Sequence, residues 1–252
     1  MSIWESLILG IVQGLTEFLP ISSSGHLVLF QSWLDISIKG NTFEIIVHMG
    51  TLGSILFVFW KDIYNIITGM AEKETQKQVS ILALATLPAV AIGFTMKDYF
   101  ESLFENPTSV SYALILTGFV LLSSKLARQK PDKISARTGF LIGIAQAIAI
   151  VPGISRSGFT ISTALLLGKD AKEAARFSFL MAIPVIAGAG LLKALDGFGE
   201  DTLSYSVMAI GLISSFVVGV FALRWLLQWL ESGKFYWFGV YCLILGIATG
   251  LF

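Results

Sequence analysis

Long apolar runs separated by short polar connections dominate this chain. A membrane-spanning helix needs about 17–25 mostly apolar residues, and open strand edges cannot be satisfied in hydrocarbon. The pattern therefore predicts an all-α polytopic membrane protein with six transmembrane helices. His48 lies within the first of them, and we interpret it as a structural residue or as support for a neighbouring site. The predicted spans are Ile45–Trp60, Ser80–Met96, Thr108–Ser124, Phe177–Leu192, Thr202–Leu223 and Phe235–Phe252.

Two further apolar regions are broken in the middle and do not fit a straight span. Each has two short apolar arms around a loop of serine, glycine and proline that holds ionisable groups. A single helix through such a loop would place Glu17 or Arg156 in lipid, and one arm of each pair is too short to span at about 1.5 Å per residue. A re-entrant hairpin fits if its irregular backbone is buried in protein or lines a wet cavity. The arms are Ser6–Thr16 and Leu27–Leu34 around the loop Glu17–His26, and Thr138–Val151 and Phe159–Leu167 around the loop Pro152–Gly158.

The two hairpins repeat each other without a gap at an offset of 133 residues. Gly10-Ile11-x-Gln13 matches Gly143-Ile144-x-Gln146, and Ile21-Ser22-x-Ser24-Gly25 matches Ile154-Ser155-x-Ser157-Gly158. Each half then consists of one hairpin and three spans, and an odd number of spans gives the halves opposite orientations. We predict an inverted repeat, residues 1–130 and 131–252, within one membrane domain. Such repeats bind ligands near the midplane of the membrane, where broken helices meet.

Composition and charge placement agree with this topology. The chain is 55% hydrophobic and 13% charged, whereas soluble domains are about 25% charged. A formal net charge of zero gives no support for nucleic-acid binding. The connection 125–137 is the most basic one and is predicted to be cytoplasmic, together with 61–77 and 224–234. Both termini are then outside, as are the acidic connections that contain Asp98, Glu101, Glu105, Asp196, Glu200 and Asp201.

The loops of the hairpins have the composition of an anion site. Helices that begin near Ser24-Gly25 and Ser157-Gly158 would direct free backbone N–H groups into one cavity. Arg156 lies between two serines at such a helix start, and a guanidinium beside hydroxyl groups suits a phosphate. Two alternatives remain: small residues also allow close helix packing, and Arg156 could form a structural ion pair with Glu17. The candidate substrate-binding residues are Ser24, Gly25, Ser155, Ser157, Gly158 and Thr160.

Glu17 and His26 supply the other chemistry of the first loop. Gln13 and Glu17 are four residues apart and therefore share one helix face. Beside a phosphate, a carboxylate suits a divalent-metal ligand or a general base; the alternative is a helix-end carboxylate in water. For His26 three roles stay open: a nucleophile that forms a phosphohistidine, a general acid, or a buried hydrogen-bonded ring.

Both loops carry the signatures of a known family. Residues 13–26, QGLTEFLPISSSGH, resemble the first signature of the undecaprenyl-diphosphatase (bacitracin-resistance) family, (E/Q)xxxE followed by a serine-rich loop and a histidine. Residues 152–160, PGISRSGFT, are similar to its second signature, PGxSRSxxT, with every fixed position met. The two motifs stand in the family's order, and the resemblance covers essentially the whole chain.

The resemblance implies an enzyme of the plasma membrane that hydrolyses undecaprenyl (polyprenyl) diphosphate with Mg²⁺ or Ca²⁺ and so recycles a lipid carrier for cell-wall synthesis. Arg156 and Ser155 would hold the phosphates, while His26 or Ser22 would attack phosphorus or activate the attacking group. Glu17 would hold the metal with help from Gln13, whose neutral amide should bind it less well than a glutamate. The residues expected to carry catalysis are Glu17, His26, Arg156 and Ser22.

Three further expectations concern the setting of the site. Glu17 and His26 enter from the outer hairpin, so the catalytic mouth is expected to face outside. A polyprenyl-phosphate flippase or transporter is the alternative function, because inverted repeats with broken helices are also a transporter architecture. A homodimer is left open beside a monomer.

Overall fold

The computed structural model describes residues 1–36, 41–96, 107–128, 130, 132–196 and 203–250. Within these residues the chain is helical and contains no strand, which confirms the all-α fold class. One 3₁₀ turn, Ser124–Leu126, follows the sixth helix. The helices are α1 Ile3–Thr16, α2 Ser23–Trp33, α3 Thr42–Val58, α4 Trp60–Thr68, α5 Lys73–Thr95, α6 Pro107–Ser123, α7 Ala136–Ile148, α8 Arg156–Leu166, α9 Ala171–Asp196, α10 Tyr205–Glu231 and α11 Trp237–Gly250.

Helices long and apolar enough to cross a membrane occur where the sequence predicts them. In the described part of the chain there are four, Lys73–Thr95, Thr108–Leu126, Ala171–Leu195 and Tyr205–Glu231, and α3 with α4 makes a fifth if the bent pair is one span. The sixth predicted span coincides with α11, which has 14 described residues and is shorter than the usual length of a span. The protein is thus a multi-pass membrane protein.

The first predicted span differs from the expectation in shape. It bends by 70° at Phe59, where α3 ends and α4 begins. The residues after the bend are amphipathic, with Lys61, Asp62 and Asn65 among apolar neighbours. A helix with this pattern is stable along a membrane surface rather than across the bilayer.

The two predicted hairpins are present and share one local geometry. Helix α2 covers residues 23–33 and α8 covers residues 156–166, the same segment displaced by the 133 residues of the repeat. In each hairpin a serine caps the second helix: the hydroxyl of Ser22 accepts from the N–H of Gly25 at 3.2 Å, and that of Ser155 accepts from the N–H of Gly158 at 3.1 Å. A turn with Gly153 at φ +89° separates the arms of the second hairpin.

Each hairpin packs against a helix of the other half of the chain. Helix α1 lies along α10, and its counterpart α7 lies along α5. Glycines make these approaches close: a β-carbon on Gly10 would lie 2.0 Å from the hydroxyl of Ser214, and one on Gly143 would lie 2.2 Å from the carbonyl oxygen of Ala85. This reciprocal packing supports the division at residue 130, and the opposite membrane orientation of the halves stays a prediction.

Charged residues of three connections meet at one end of the bundle. Arg176 of α9 pairs with Asp62 of α4 at 2.5 Å, and Lys133 pairs with Glu74 at 2.6 Å. The ammonium of Lys169 bonds Asp132 and lowers the pKa of that carboxyl. All of these residues lie in or beside connections that the charge pattern assigns to the cytoplasm, whereas the acidic connections at 97–106 and 197–202 lie outside the described residues.

Candidate active site

The loops of the two hairpins come together inside the bundle, and their opposite charges meet. Glu17 ends α1, where its backbone N–H bonds the carbonyl of Gln13, and Arg156 begins α8. One carboxylate oxygen of Glu17, Oε1, accepts a hydrogen bond from Nη2 of Arg156. Glu17 is only 7% exposed, so the pair is almost completely removed from solvent. Breaking such a pair by removing one partner costs about 3–5 kcal/mol, because the other charge stays buried alone.

The second carboxylate oxygen of Glu17 collects three further groups. The hydroxyl of Ser23 donates to Oε2 at 2.6 Å, and the amide nitrogen of Gln13 donates to it at 3.1 Å. Nε2 of His48 lies 3.6 Å away on the other side, while Nδ1 of His48 bonds the carbonyl of Glu44. His48 therefore supports the site from α3, in line with one of its two interpretations.

Backbone contacts lock the two loops against each other. The N–H of Gly153 donates to the hydroxyl of Ser24 at 3.3 Å, and a β-carbon on Gly25 would lie 3.3 Å from the α-carbon of Gly153. Thr117 of α6 receives the N–H of Ser155 at 3.2 Å and so fixes the second loop from outside the hairpin. The Ser/Gly loops thus serve close packing and a helix-end cluster at the same time.

Ser22 and Ser23 have different surroundings although they are adjacent. Ser22 is buried, its backbone is left-handed at φ 70°, and its hydroxyl caps α2. Ser23 is half-buried and its hydroxyl is the one that touches Glu17. The structure thus brings Ser23, rather than the predicted Ser22, to the carboxylate.

His26 is buried beneath the loop with both ring nitrogens occupied. Nδ1 lies 2.8 Å from the carbonyl oxygen of Ser22, and Nε2 lies 2.8 Å from the hydroxyl of Tyr241 on α11. Only 4% of the residue is exposed. This geometry matches the buried, hydrogen-bonded ring among the three roles left open for His26.

The remaining predicted substrate-binding residues line the start of α8. The hydroxyls of Ser155 and Ser157 lie 3.3 Å apart, and Gly158 leaves room for the cap, since a β-carbon there would lie 3.0 Å from the Ser155 hydroxyl. Thr160 points away from the loop: its hydroxyl bonds Ser178 of α9 at 2.6 Å and the carbonyl of Arg156 at 2.8 Å. Thr160 thus anchors α8 to α9.

Buried polar atoms without a partner concentrate on the hairpins. In the described part of the chain they are Gln13 Oε1, Gln146 Oε1 and Nε2, Arg156 Nη1 and Ser162 Oγ. An unsatisfied buried donor or acceptor costs about 1–3 kcal/mol, and native structures retain such groups where water, an ion or a ligand completes them. Two of the three side chains nearest the ion pair thus have spare bonding capacity.

A cavity of about 320 Å³ lies at the charged end of the bundle, away from this cluster. It is lined by Lys77, Lys133 and Arg176 together with four acidic side chains, and it includes none of the hairpin-loop residues. Its cations are engaged in the ion pairs of that end. The chemistry of the molecule therefore lies at the hairpins rather than in this cavity.

Comparison with known proteins decides the family. The sequence profile described as bacitracin resistance protein BacA matches residues 6–248. The chain belongs to this family. Among its relatives named undecaprenyl-diphosphatase, that of Halothermothrix orenii is 42% identical, covering 98% of this chain and 96% of the relative. Those of Christiangramia forsetii and Korarchaeum cryptofilum are 40% and 39% identical and also cover at least 98% of both chains.

The residues predicted to hold a metal in this bacitracin-resistance family member form a small oxygen-donor set. Glu17 offers its carboxylate, and Gln13 Oε1 is buried without a partner and able to accept a cation. The described residues contain no group of three His, Cys, Asp or Glu side chains that could hold a metal. Mg²⁺ commonly binds through one or two carboxylates and completes its shell with substrate phosphates and water. The donor set fits that mode and does not fit a cage built by protein alone.

Three residues of the site escaped the sequence reasoning or were left marginal by it. Ser23 is one of three consecutive serines, and nothing in the composition of the loop separates it from its neighbours. Its signal lies in the repeat, because residue 23 pairs with Arg156 and is the position at which the two Ser-x-Ser-Gly loops differ. Tyr241 was noticed only as part of the repeat, and His48 only as an ionisable residue inside a span.

Proposed function

We propose that this protein is a membrane phosphatase that hydrolyses undecaprenyl (polyprenyl) diphosphate to the monophosphate and inorganic phosphate. The single observation that carries the proposal is the buried cluster of Glu17, Arg156 and Ser23, which both hairpins build in a chain of the bacitracin-resistance family. A carboxylate, a guanidinium and a hydroxyl within contact of each other are the groups that phosphoryl transfer requires.

The diphosphate is held by the second hairpin. Nη1 of Arg156 is buried and free of partners while Nη2 is held by Glu17, so the guanidinium faces the substrate with one edge already fixed. The α8 terminus adds its backbone dipole, and anions bind there readily. The polyprenyl tail lies in the surrounding lipid, where apolar helix faces are exposed.

Ser23 is the attacking group in this mechanism, and Glu17 is its base. The Ser23 oxygen attacks the terminal phosphorus while its proton passes to Glu17 Oε2, 2.6 Å away. The bond from that phosphorus to the bridging oxygen breaks, and the polyprenyl monophosphate leaves with the electron pair and takes the proton from Glu17. Water then cleaves the phosphoserine: Glu17 accepts the water proton and returns a proton to the Ser23 oxygen, which releases phosphate.

His26 takes a supporting part because neither ring nitrogen is free to attack. Its Nδ1 hydrogen bonds the Ser22 carbonyl, and that bond holds the peptide that leads into Ser23. Ser22 contributes its hydroxyl to the cap of α2. The nucleophile therefore moves from the two residues first considered to the serine between them.

Glu17 and Gln13 are the residues that would hold Mg²⁺ or Ca²⁺. When bound, such an ion offsets the negative charge of the transferring phosphoryl group. Gln13 Nε2 orients the carboxylate from one side and leaves the amide oxygen free. Arg156 supplies positive charge that is permanent and independent of the ion.

The plasma membrane is the proposed location, and the site is proposed to face outside. The clustered cations and their partners at the charged end support a cytoplasmic assignment of that end. The first hairpin, which carries Glu17 and Ser23, then enters from the opposite side. Product phosphate leaves to the outside.

The test uses the full chain purified in detergent, where there is no membrane to cross. With a polyprenyl diphosphate and Mg²⁺ or Ca²⁺, the wild type should release phosphate, while Glu17→Gln should release almost none although it folds and inserts. A lipid transporter without hydrolytic activity would release no phosphate under these conditions. Near-wild-type hydrolysis by Glu17→Gln would remove Glu17 from the mechanism.

A further inference from the structure

Tyr241 reaches from α11 into the first hairpin and contacts His26 in two ways. Its hydroxyl lies 2.8 Å from Nε2 of His26, and the two rings are stacked, with centroids 5.8 Å apart and planes inclined by 12°. On the other side, Nδ1 of His26 lies 2.8 Å from the carbonyl oxygen of Ser22. A carbonyl oxygen only accepts, so the neutral ring carries its hydrogen on Nδ1, and the tyrosine hydroxyl donates to Nε2.

The repeat provides an internal comparison for this contact. Tyr112 of α6 is the counterpart of Tyr241, and Phe159 is the counterpart of His26. Tyr112 is 70% exposed, and Phe159 has no ring nitrogen to bond. The tyrosine–histidine contact therefore occurs only in the half that carries Ser23 and Glu17, so it is not a general requirement of packing α6 and α11.

The contact leads directly to the proposed nucleophile. Ser22 has φ 70° and ψ 98°, a left-handed conformation that residues other than glycine rarely adopt. Its carbonyl belongs to the peptide that continues into Ser23, so the Nδ1 hydrogen bond of His26 fixes the plane of that peptide. Ser23 then begins α2 with its hydroxyl 2.6 Å from Glu17.

We propose that Tyr241 is a positioning residue for the nucleophile. Its hydroxyl fixes the tautomer and the ring plane of His26, and His26 holds the Ser22–Ser23 peptide so that the Ser23 hydroxyl stays on Glu17. The inference rests on the proposed phosphatase function and on Ser23 as the attacking group. It deepens that function by adding a residue that is 215 positions away from His26 in the chain.

A double-mutant cycle tests whether Tyr241 acts through His26. Tyr241→Phe keeps the ring stack and should lower kcat roughly tenfold with an unchanged KM, the size of effect that one hydrogen bond supports. In a His26→Ala background the same substitution should cause no further loss. Tyr112→Phe is the matched control and should keep wild-type kinetics. Wild-type kcat in Tyr241→Phe, or an equal loss in both backgrounds, would overturn the proposal.

Nitrogen NMR of labelled histidine tests the contact without relying on hydrolysis. The chain has two histidines, so the spectrum of His48→Asn identifies the resonances of His26. We expect the His26 hydrogen on Nδ1 and a displaced Nε2 resonance in Tyr241→Phe. A hydrogen on Nε2, or an Nε2 resonance that stays in place, would contradict the contact. If the wild type released no phosphate, the proposed function would fail while these resonances still decided the pairing.

Discussion

Replacing Arg156 by lysine separates the geometry of this residue from its charge. The guanidinium has two terminal nitrogens with different tasks: Nη2 bonds Glu17, and Nη1 is buried without a partner and is assigned to a substrate oxygen. A lysine keeps the positive charge on a single nitrogen at the end of a flexible stem. It can satisfy Glu17 or the phosphate, but its geometry does not match both.

The size of the effect follows from the bond that is lost. A hydrogen bond to a charged group contributes about 1.5–3 kcal/mol, and each 1.36 kcal/mol changes a rate about tenfold. We therefore expect kcat/KM of Arg156→Lys to fall roughly 10- to 150-fold. Arg156→Ala should fall further and should also lower the melting temperature, because it leaves the Glu17 carboxylate buried without its partner.

The assay measures phosphate release from a polyprenyl diphosphate by monodisperse protein in detergent. Arg176→Lys is the matched control: Arg176 pairs with Asp62 at the charged end of the bundle, and its variant should keep wild-type kcat/KM. An Arg156→Lys protein within about threefold of the wild type would refute the reasoning, since that difference is smaller than one charged hydrogen bond. The substrate would then depend on the charge of residue 156 and not on its two-sided geometry.

Three further predictions concern the nucleophile, the metal and the packing. Ser23→Ala should abolish phosphate release, whereas Ser22→Ala should retain activity and mainly lower thermal stability by about 1 kcal/mol through the lost cap; the reverse order would reassign the nucleophile. Gln13→Glu should lower the Mg²⁺ concentration that gives half-maximal activity, and chelation should stop turnover in both proteins; an unchanged metal titration would exclude residue 13 as a ligand. Gly143→Ala should destabilise the protein by about 1–3 kcal/mol in detergent melting, because its β-carbon would lie 2.2 Å from a backbone oxygen, whereas Gly188→Ala, with nothing within 4 Å, should not; equal melting temperatures would contradict the close packing of α7 on α5.

Sequence patterns predict the hairpins because membranes constrain the backbone so strongly. Glu17, Pro20 and Arg156 cannot lie on straight lipid-exposed helices, so the broken regions had to be re-entrant. The offset of 133 residues also placed the two loops on equivalent helices, and α2 and α8 begin and end at matching positions. The meeting of Glu17 and Arg156 follows from that symmetry.

Other parts of the site depend on contacts that a sequence does not encode locally. Which of three adjacent serines faces Glu17 depends on the left-handed backbone at Ser22, and serine is not the residue that normally signals such a conformation. The bond between His26 and Tyr241 depends on how α11 packs across the bundle. The bend at Phe59 is similarly hidden, since the apolar run continues to Trp60 and the amphipathic pattern begins only after it.

The order of synthesis gives the buried ion pair a further consequence. Glu17 is made 139 residues before Arg156, which at about 5–20 residues per second is a delay of roughly 7 to 28 s. During that interval the carboxylate has no cation to accompany it into the hydrocarbon region. The first hairpin must then wait at the water boundary or inside the insertion machinery until the second one emerges, so the catalytic centre is among the last parts of the nascent protein to settle.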